Sequence, residues 1–200
     1  MEAMTPAHLL DCARQAEDIE LARQAIDLQL AVHGHDGLRE FLQGYFGNKM
    51  FFAVMDDAAA VHSLRLWNAD CMQIAAEMLG CWGSTWMRSV DVFRGWVKGQ
   101  RPHEERRAAH RAAWTYHERG QGEHSETWLA GAVAQLCACE LHDFKYLDED
   151  GIGAPYIYAW TAPDRHNPDH DGMPQQMMER FHARMLDAYL LPALGLEVTP

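Results

Sequence analysis

Histidine is the side chain that titrates nearest neutral pH and the commonest metal ligand, and this chain carries twelve. Four of them, His103, His110, His117 and His124, recur at intervals of seven. Along a helix, steps of seven set successive imidazoles about 10 Å apart, too far to share one ion at bonds of roughly 2 Å. The spacing therefore predicts a face and not a chelate. On a helical wheel His103, His110 and His117 share that face with Trp114, while Ala108, Ala109, Ala112, Ala113 and Tyr116 lie opposite. The alanine side is expected to pack closely on a neighbour. The His/Trp side is expected to make a second core contact, because tryptophan is mostly buried in folded proteins; the other reading is an exposed, protonatable patch. A single carboxylate, Glu140, falls among Leu129, Val133, Leu136, Cys137 and Phe144 on the next helix. An acid there must be paired, protonated or functional. The antiparallel register puts it level with residues 103–107, so a salt bridge to Arg106 or Arg107 is expected.

Two metal patterns compete with this reading. His142-Asp143 resembles the doublet that names the HD-domain metal phosphohydrolases, a helical family using an upstream His, the doublet and a downstream Asp. That resemblance implies His110 and Asp187 in the outer roles. It covers four residues, lacks the flanking patterns and leaves about a hundred N-terminal residues unaccounted for. Glu179 and His182 are similar to the E-x-x-H element of helical diiron carboxylate proteins, which puts both ligands on adjacent turns of one face. That family needs the element twice, and the other candidate helix offers only Glu140-x-x-Asp143. The expectation is accordingly no metal and no other cofactor. A metal-dependent hydrolase or oxidase at His110, Glu140, His142, Asp143, Glu179 and His182 is the competing reading.

Other signatures are missing. Asp148-Glu149-Asp150-Gly151 and Asp169-His170-Asp171-Gly172 look like calcium loops, but counting Gly as position six puts Tyr146 or Asn167 at position one and no Glu at twelve. There is no G-x-S-x-G elbow, no phosphate-binding G-x-x-x-x-G-K-[ST] and no G-x-G-x-x-G. The five cysteines form no C-x-x-C pair, and Cys137 and Cys139 diverge on a helix. An odd set of this kind fits free thiols in a reducing compartment, so the expected location is the cytoplasm.

The elements that must hold these residues read as helices. Thr5-Pro6 starts one, and apolar residues recur at helical spacing from Leu9 to Leu30 until a break at 33–37, as one long helix or two short ones. An aromatic segment over 38–46 and a short apolar run over 50–55 follow. Asp56 or Asp57 caps a helix that Gly80 ends; Ser84 opens another, closed at Gly99. Pro102 begins a helix that stops near Arg119, and Gly120-Gln121-Gly122 turns into a further helix over 125–146, making an antiparallel hairpin. Residues 147–173 are rich in Asp, Gly and Pro and read as one long irregular segment. Pro174 starts the last helix, which Pro192 ends or kinks. The fold class is all-α: one domain over 1–200, a bundle of about six to eight helices with the irregular segment before the last.

With 48% apolar residues and seven Trp the chain can fill a substantial core. Its formal charge is −12, with eight basic against thirteen acidic residues in 1–100 and nine against sixteen in 101–200. Both halves repel phosphate backbones, which argues against a nucleic-acid partner. The longest apolar runs, 50–55 and 128–139, fall short of a bilayer span, and residues 1–5 lack the pattern of an export signal, so no membrane partner is expected. The expected function is binding: a cytosolic module whose acidic, aromatic-bearing surface holds a more basic protein, in its concrete form an immunity protein, or antitoxin, neutralising a basic toxin. Two surfaces are candidates. One is the acidic segment with Asp143, Asp148, Glu149, Asp150, Asp164, Asp169 and Asp171, carrying Tyr156, Tyr158 and Trp160 as anchors. The other is the face with His103, His110, Trp114 and His117. The oligomeric state is left open.

Overall fold

A computed structural model describes residues 5–16, 19–43, 49–120, 122–138, 159, 162–164 and 166–195. The fold is all-α, with no strand among the described residues. In chain order the helices are α1 (Pro6–Ala16), α2 (Ile19–Gln43), α3 (Lys49–Val54), α4 (Asp57–Met78), α5 (Arg88–Val97), α6 (His103–Arg119), α7 (His124–Ala138) and α8 (Met173–Met185). The residues group into two compact units, one formed by 1–63 with 182–200 and the other by 64–181.

In the first unit α1 packs on α2, and α2 on α3. Pro6 stands at the first helical position, where its missing N–H costs nothing. The break expected at 33–37 is a kink inside α2 at Gly34, whose φ of 64° is accessible to a residue without Cβ. Ala25, Ile26, Met50, Phe51, Met185 and Leu190 are buried. Phe51 meets Tyr189 edge-on at 6.0 Å between ring centroids. Arg23 donates to the carbonyls of Phe52 (2.7 Å) and Met55 (3.3 Å), placing a cation on the carbonyl end of α3. Asp56 caps α4 as expected, accepting from the Ala59 amide at 2.9 Å.

The second unit is organised around α7. Leu129, Ala130, Gly131, Ala132, Val133, Ala134, Leu136 and Cys137 are all buried, the condition of a helix that is apolar on every side. α5 and α6 both pack on it. Phe93 from α5 and Leu64, Trp67 and Met72 from α4 are buried in the same unit, each fully buried large side chain contributing roughly 1.5–3 kcal/mol. Trp67 satisfies its indole by donating to the Phe181 carbonyl at 2.9 Å. α6 ends at Gly120 in the left-handed conformation, the cap expected of the hairpin.

Some boundaries differ from expectation. After Ser84 the chain first makes a 3-10 turn, Thr85–Met87, and α5 begins at Arg88. The last helix starts at Met173 and passes into a π-helical turn, Leu186–Leu190, before Leu191–Ala193. Pro192 explains the widening: it has no N–H to offer and its ring presses on the carbonyl of residue 188, so the backbone relaxes in the preceding turn. Described helix α7 ends at Ala138. Glu140, His142, Asp143, Asp148, Glu149, Asp150, Tyr156, Tyr158 and Trp160 lie outside the described residues, as does most of the irregular segment.

Candidate functional site

The face of α6 that carries the histidines is neither wholly core nor wholly solvated, and two expectations about α6 need correction. Ala108 and Ala112 are exposed, not packed; only Ala109 and Ala113 of the alanines are buried, and Arg106 extends their stripe. Alanine is a favourable helix former in water, so its exposure costs little. Trp114 is 36% exposed, which overturns its assignment to the core. His103 is exposed, while His110 and His117 are half-buried at the edge of the stripe, against α7. A heptad drifts by about 20° per repeat on a straight helix, so the three rings cannot occupy equivalent positions.

What holds the rings is the backbone of α7. His110 Nδ1 donates to the Ala134 carbonyl and His117 Nδ1 to the Thr127 carbonyl, each at 2.9 Å. A carbonyl can only accept, so the bond fixes the proton on Nδ1 in both rings. Gly131 makes room for this: a Cβ there would stand 2.9 Å from His117 Nδ1. The result is a row of five rings across the hairpin. His110 stacks on Trp114 (6.3 Å, 22°), Trp114 meets His117 (5.4 Å, 46°), His117 meets Trp128 edge-on (6.3 Å, 70°), and Trp128 stacks with His124 (6.1 Å, 15°). Trp128, at the far side, is 38% exposed. Trp114, His117, Trp128, Gly131, Ala132 and Gln135 line a shallow groove of about 120 Å³.

Trp128, Gly131 and Gln135 were not singled out from sequence. A signal for Trp128 existed, since it stands four residues after His124 and shares its helix face. The fit of Gly131 under His117 has no local signature.

His103 belongs to a different cluster. Its ring lies 5.8 Å from Trp96, and its Nε2 accepts from Arg106 at 3.2 Å. The guanidiniums of Arg65 and Arg106 lie over the Trp96 ring at 4.9 and 4.4 Å. Arg107, the other partner expected for Glu140, is exposed and pairs with Glu104 at 3.6 Å.

The described part of the acidic segment forms an open cleft of about 450 Å³ lined by Asp164, His166, Asn167, His170 and Asp171 among others. Asp164 is committed to the loop itself: its carboxylate accepts from the His166 amide at 2.9 Å, and its own amide donates to His170 Nδ1 (3.0 Å) and Ser125 Oγ (3.2 Å). Asp169 and Asp171 are exposed. The structure thus leaves charge on the rim of this loop; the aromatic anchors expected for it, Tyr156, Tyr158 and Trp160, lie outside the described residues.

Several other reactive side chains among the described residues are hydrogen-bonded or buried. Glu126 accepts from Ser84 Oγ and from Trp86 Nε1 (3.2 Å), joining the 3-10 turn to α7. Burial disfavours its charge, but hydrogen bonds from Ser84, Tyr116 and Trp86 outweigh that and hold the carboxyl below its ordinary value. Burial, then the Glu126 charge, pushes the Cys81 thiol up to about 11, and burial keeps Cys71 well above its ordinary value, so neither is a ready nucleophile. Of the metal candidates, Glu179 is exposed and accepts from Gln175 at 3.2 Å, and burial pushes His182 down to about 4. Among the described residues no three His, Cys, Asp or Glu side chains come close enough together to hold a metal ion, and no described helix is long and apolar enough to cross a membrane.

No protein-family model, curated protein or solved structure matches this chain.

Proposed function

We propose that the chain is a protein-binding module for a basic partner, and that the α6/α7 face with His110, Trp114, His117 and Trp128 is where it holds that partner. The observation that carries this reading is the pair of tryptophans, each more than a third exposed, lining one groove on a rigid helical hairpin. Large aromatic side chains bury much area at small entropic cost, and they recur as the residues that dominate interface energy. The charge of −12 would draw a basic partner and repel acidic ones. Asp169 and Asp171, on the exposed loop, add to that steering. An immunity protein neutralising a basic toxin in the cytoplasm is the concrete form of this class and rests on acidity, not on the groove.

The test places a photo-crosslinking amino acid at Gln135 in the groove and, separately, at Glu77 on α4, in cells of the source organism. The reading expects one basic protein joined at Gln135, absent at Glu77 and lost when Trp114 and Trp128 are changed to Ala. Adducts that ignore both tryptophans would refute it. An equivalent of zinc, iron or manganese in the tag-free protein would instead favour the helical metalloenzyme reading.

A further inference from the structure

We infer that the groove between Trp114 and Trp128 is a receptor for one guanidinium group, the side chain of an arginine on the basic partner; this rests on the binding reading above. Size is the first argument. A groove of about 120 Å³ has room for a flat group of four heavy atoms such as a guanidinium. Chemistry is the second. Two indoles and an imidazole line the groove, aromatic groups that attract cations. Rigidity is the third. The central imidazole is pinned to the Thr127 carbonyl, and His110, stacked on Trp114, is pinned to the Ala134 carbonyl, so the α6 wall is held in place by α7.

Guanidinium is favoured over ammonium because it is planar, weakly hydrated and stacks on aromatic rings, whereas an ammonium keeps its water shell. The same unit already accommodates guanidiniums on an indole, those of Arg65 and Arg106 on Trp96. An acidic chain supplies the matching long-range charge.

The experiment uses the full chain labelled with nitrogen-15 and follows the seven indole N–H signals, with Trp114 and Trp128 assigned by single Phe substitutions. The probes are three blocked tetrapeptides, of arginine, of lysine and of citrulline, which keeps the shape of arginine without its charge. Titrations are run near physiological salt to screen nonspecific attraction. The Trp114 and Trp128 signals should move saturably with tetra-arginine, bind tetra-lysine on the order of five-fold more weakly, and ignore tetra-citrulline. Equal shifts from citrulline would show that charge is irrelevant, equal shifts from lysine that the planar group is, and shifts confined to other indoles that the groove is not the site; each overturns the inference. The crosslink at Gln135 separates the two claims: a basic partner captured there while tetra-arginine leaves both indoles unmoved removes the guanidinium receptor and keeps the module. Saturable arginine binding without any captured partner does the reverse.

Discussion

Two ends of α6 treat tryptophan in opposite ways. At its N-terminal end His103 and Arg106 close over Trp96, and with Arg65 from α4 the chain supplies its own cations to the indole. At its C-terminal end Trp114 lies between His110 and His117, both held to the α7 backbone, Trp128 lies against His117, and more than a third of each indole remains in water. The first arrangement joins α4, α5 and α6 within one unit. The second leaves aromatic area that contributes little to folding. The difference separates a tryptophan that stabilises from tryptophans available for recognition, and it can be tested by asking where truncation hurts.

The largest expected effect is at the closed end. Trp96→Ala should cost about 3 kcal/mol in urea denaturation, since it removes a large side chain and the surface on which two guanidiniums rest. A loss no greater than that of Trp114→Ala would erase the distinction.

Glu126 offers a sharper instrument because it lies at the hairpin turn beside the C-terminal end of α6, where Ser84, Trp86 and Tyr116 converge on it. Its amide variant keeps one acceptor oxygen for three donors, so Glu126→Gln should cost about 1–2 kcal/mol at neutral pH. The folded carboxyl titrates below its unfolded value, so its contribution is fully present above the unfolded glutamate value, about 4.3, and is lost as pH falls through the folded one. The stability gap between wild type and variant should therefore close only at acid pH. A gap unchanged down to pH values below the folded titration would mean that packing, not charge, is what the variant loses.

Much of the frame was legible in the sequence because caps and breakers act locally. Pro6, Asp56, Gly120 and the break near Gly34 all do what their chemistry dictates, and the hairpin follows from its short turn. The phase of α6 was less legible. A heptad of histidines suggested one uniform face, but burial is decided by what α7 and α5 present, and it ran through Arg106, Ala109 and Ala113. Trp128 was hidden for a related reason: α7 is apolar all round, so nothing in its pattern marks the side on which Trp128 stays part-exposed. The acidic loop was legible as charge, whereas the use of Asp164 to build its own turn is a matter of backbone geometry.

Gly131→Ala probes the open end without touching a tryptophan. Alanine is the better helix former by about 1 kcal/mol, but its Cβ would meet the His117 ring at 2.9 Å. Crowding of that kind costs about 1–3 kcal/mol, so the net loss should be about 1 kcal/mol, with the His117 ring signals displaced in the NMR spectrum. A stabilised variant with unmoved His117 signals would mean that the ring is not held in the observed place.

The smallest effect on folding should come from the residues that matter most for recognition. Trp114→Ala and Trp128→Ala each remove a side chain that is more than a third exposed, and neither touches the bonds that hold His110 and His117 to the α7 backbone. Each should therefore cost less than about 1 kcal/mol, within the range of surface substitutions near a packed edge. Binding should behave in the opposite way, because anchor residues at the centre of an interface commonly cost about 2 kcal/mol or more when truncated, which is a loss of roughly thirty-fold in affinity. Measuring denaturation midpoints and capture of the Gln135-crosslinked partner on the same two variants puts both quantities on one scale. Wild-type stability combined with lost binding is the signature of a surface kept open for a partner. Loss of stability matching that of Trp96→Ala would return this face to the core and leave the module without its proposed site.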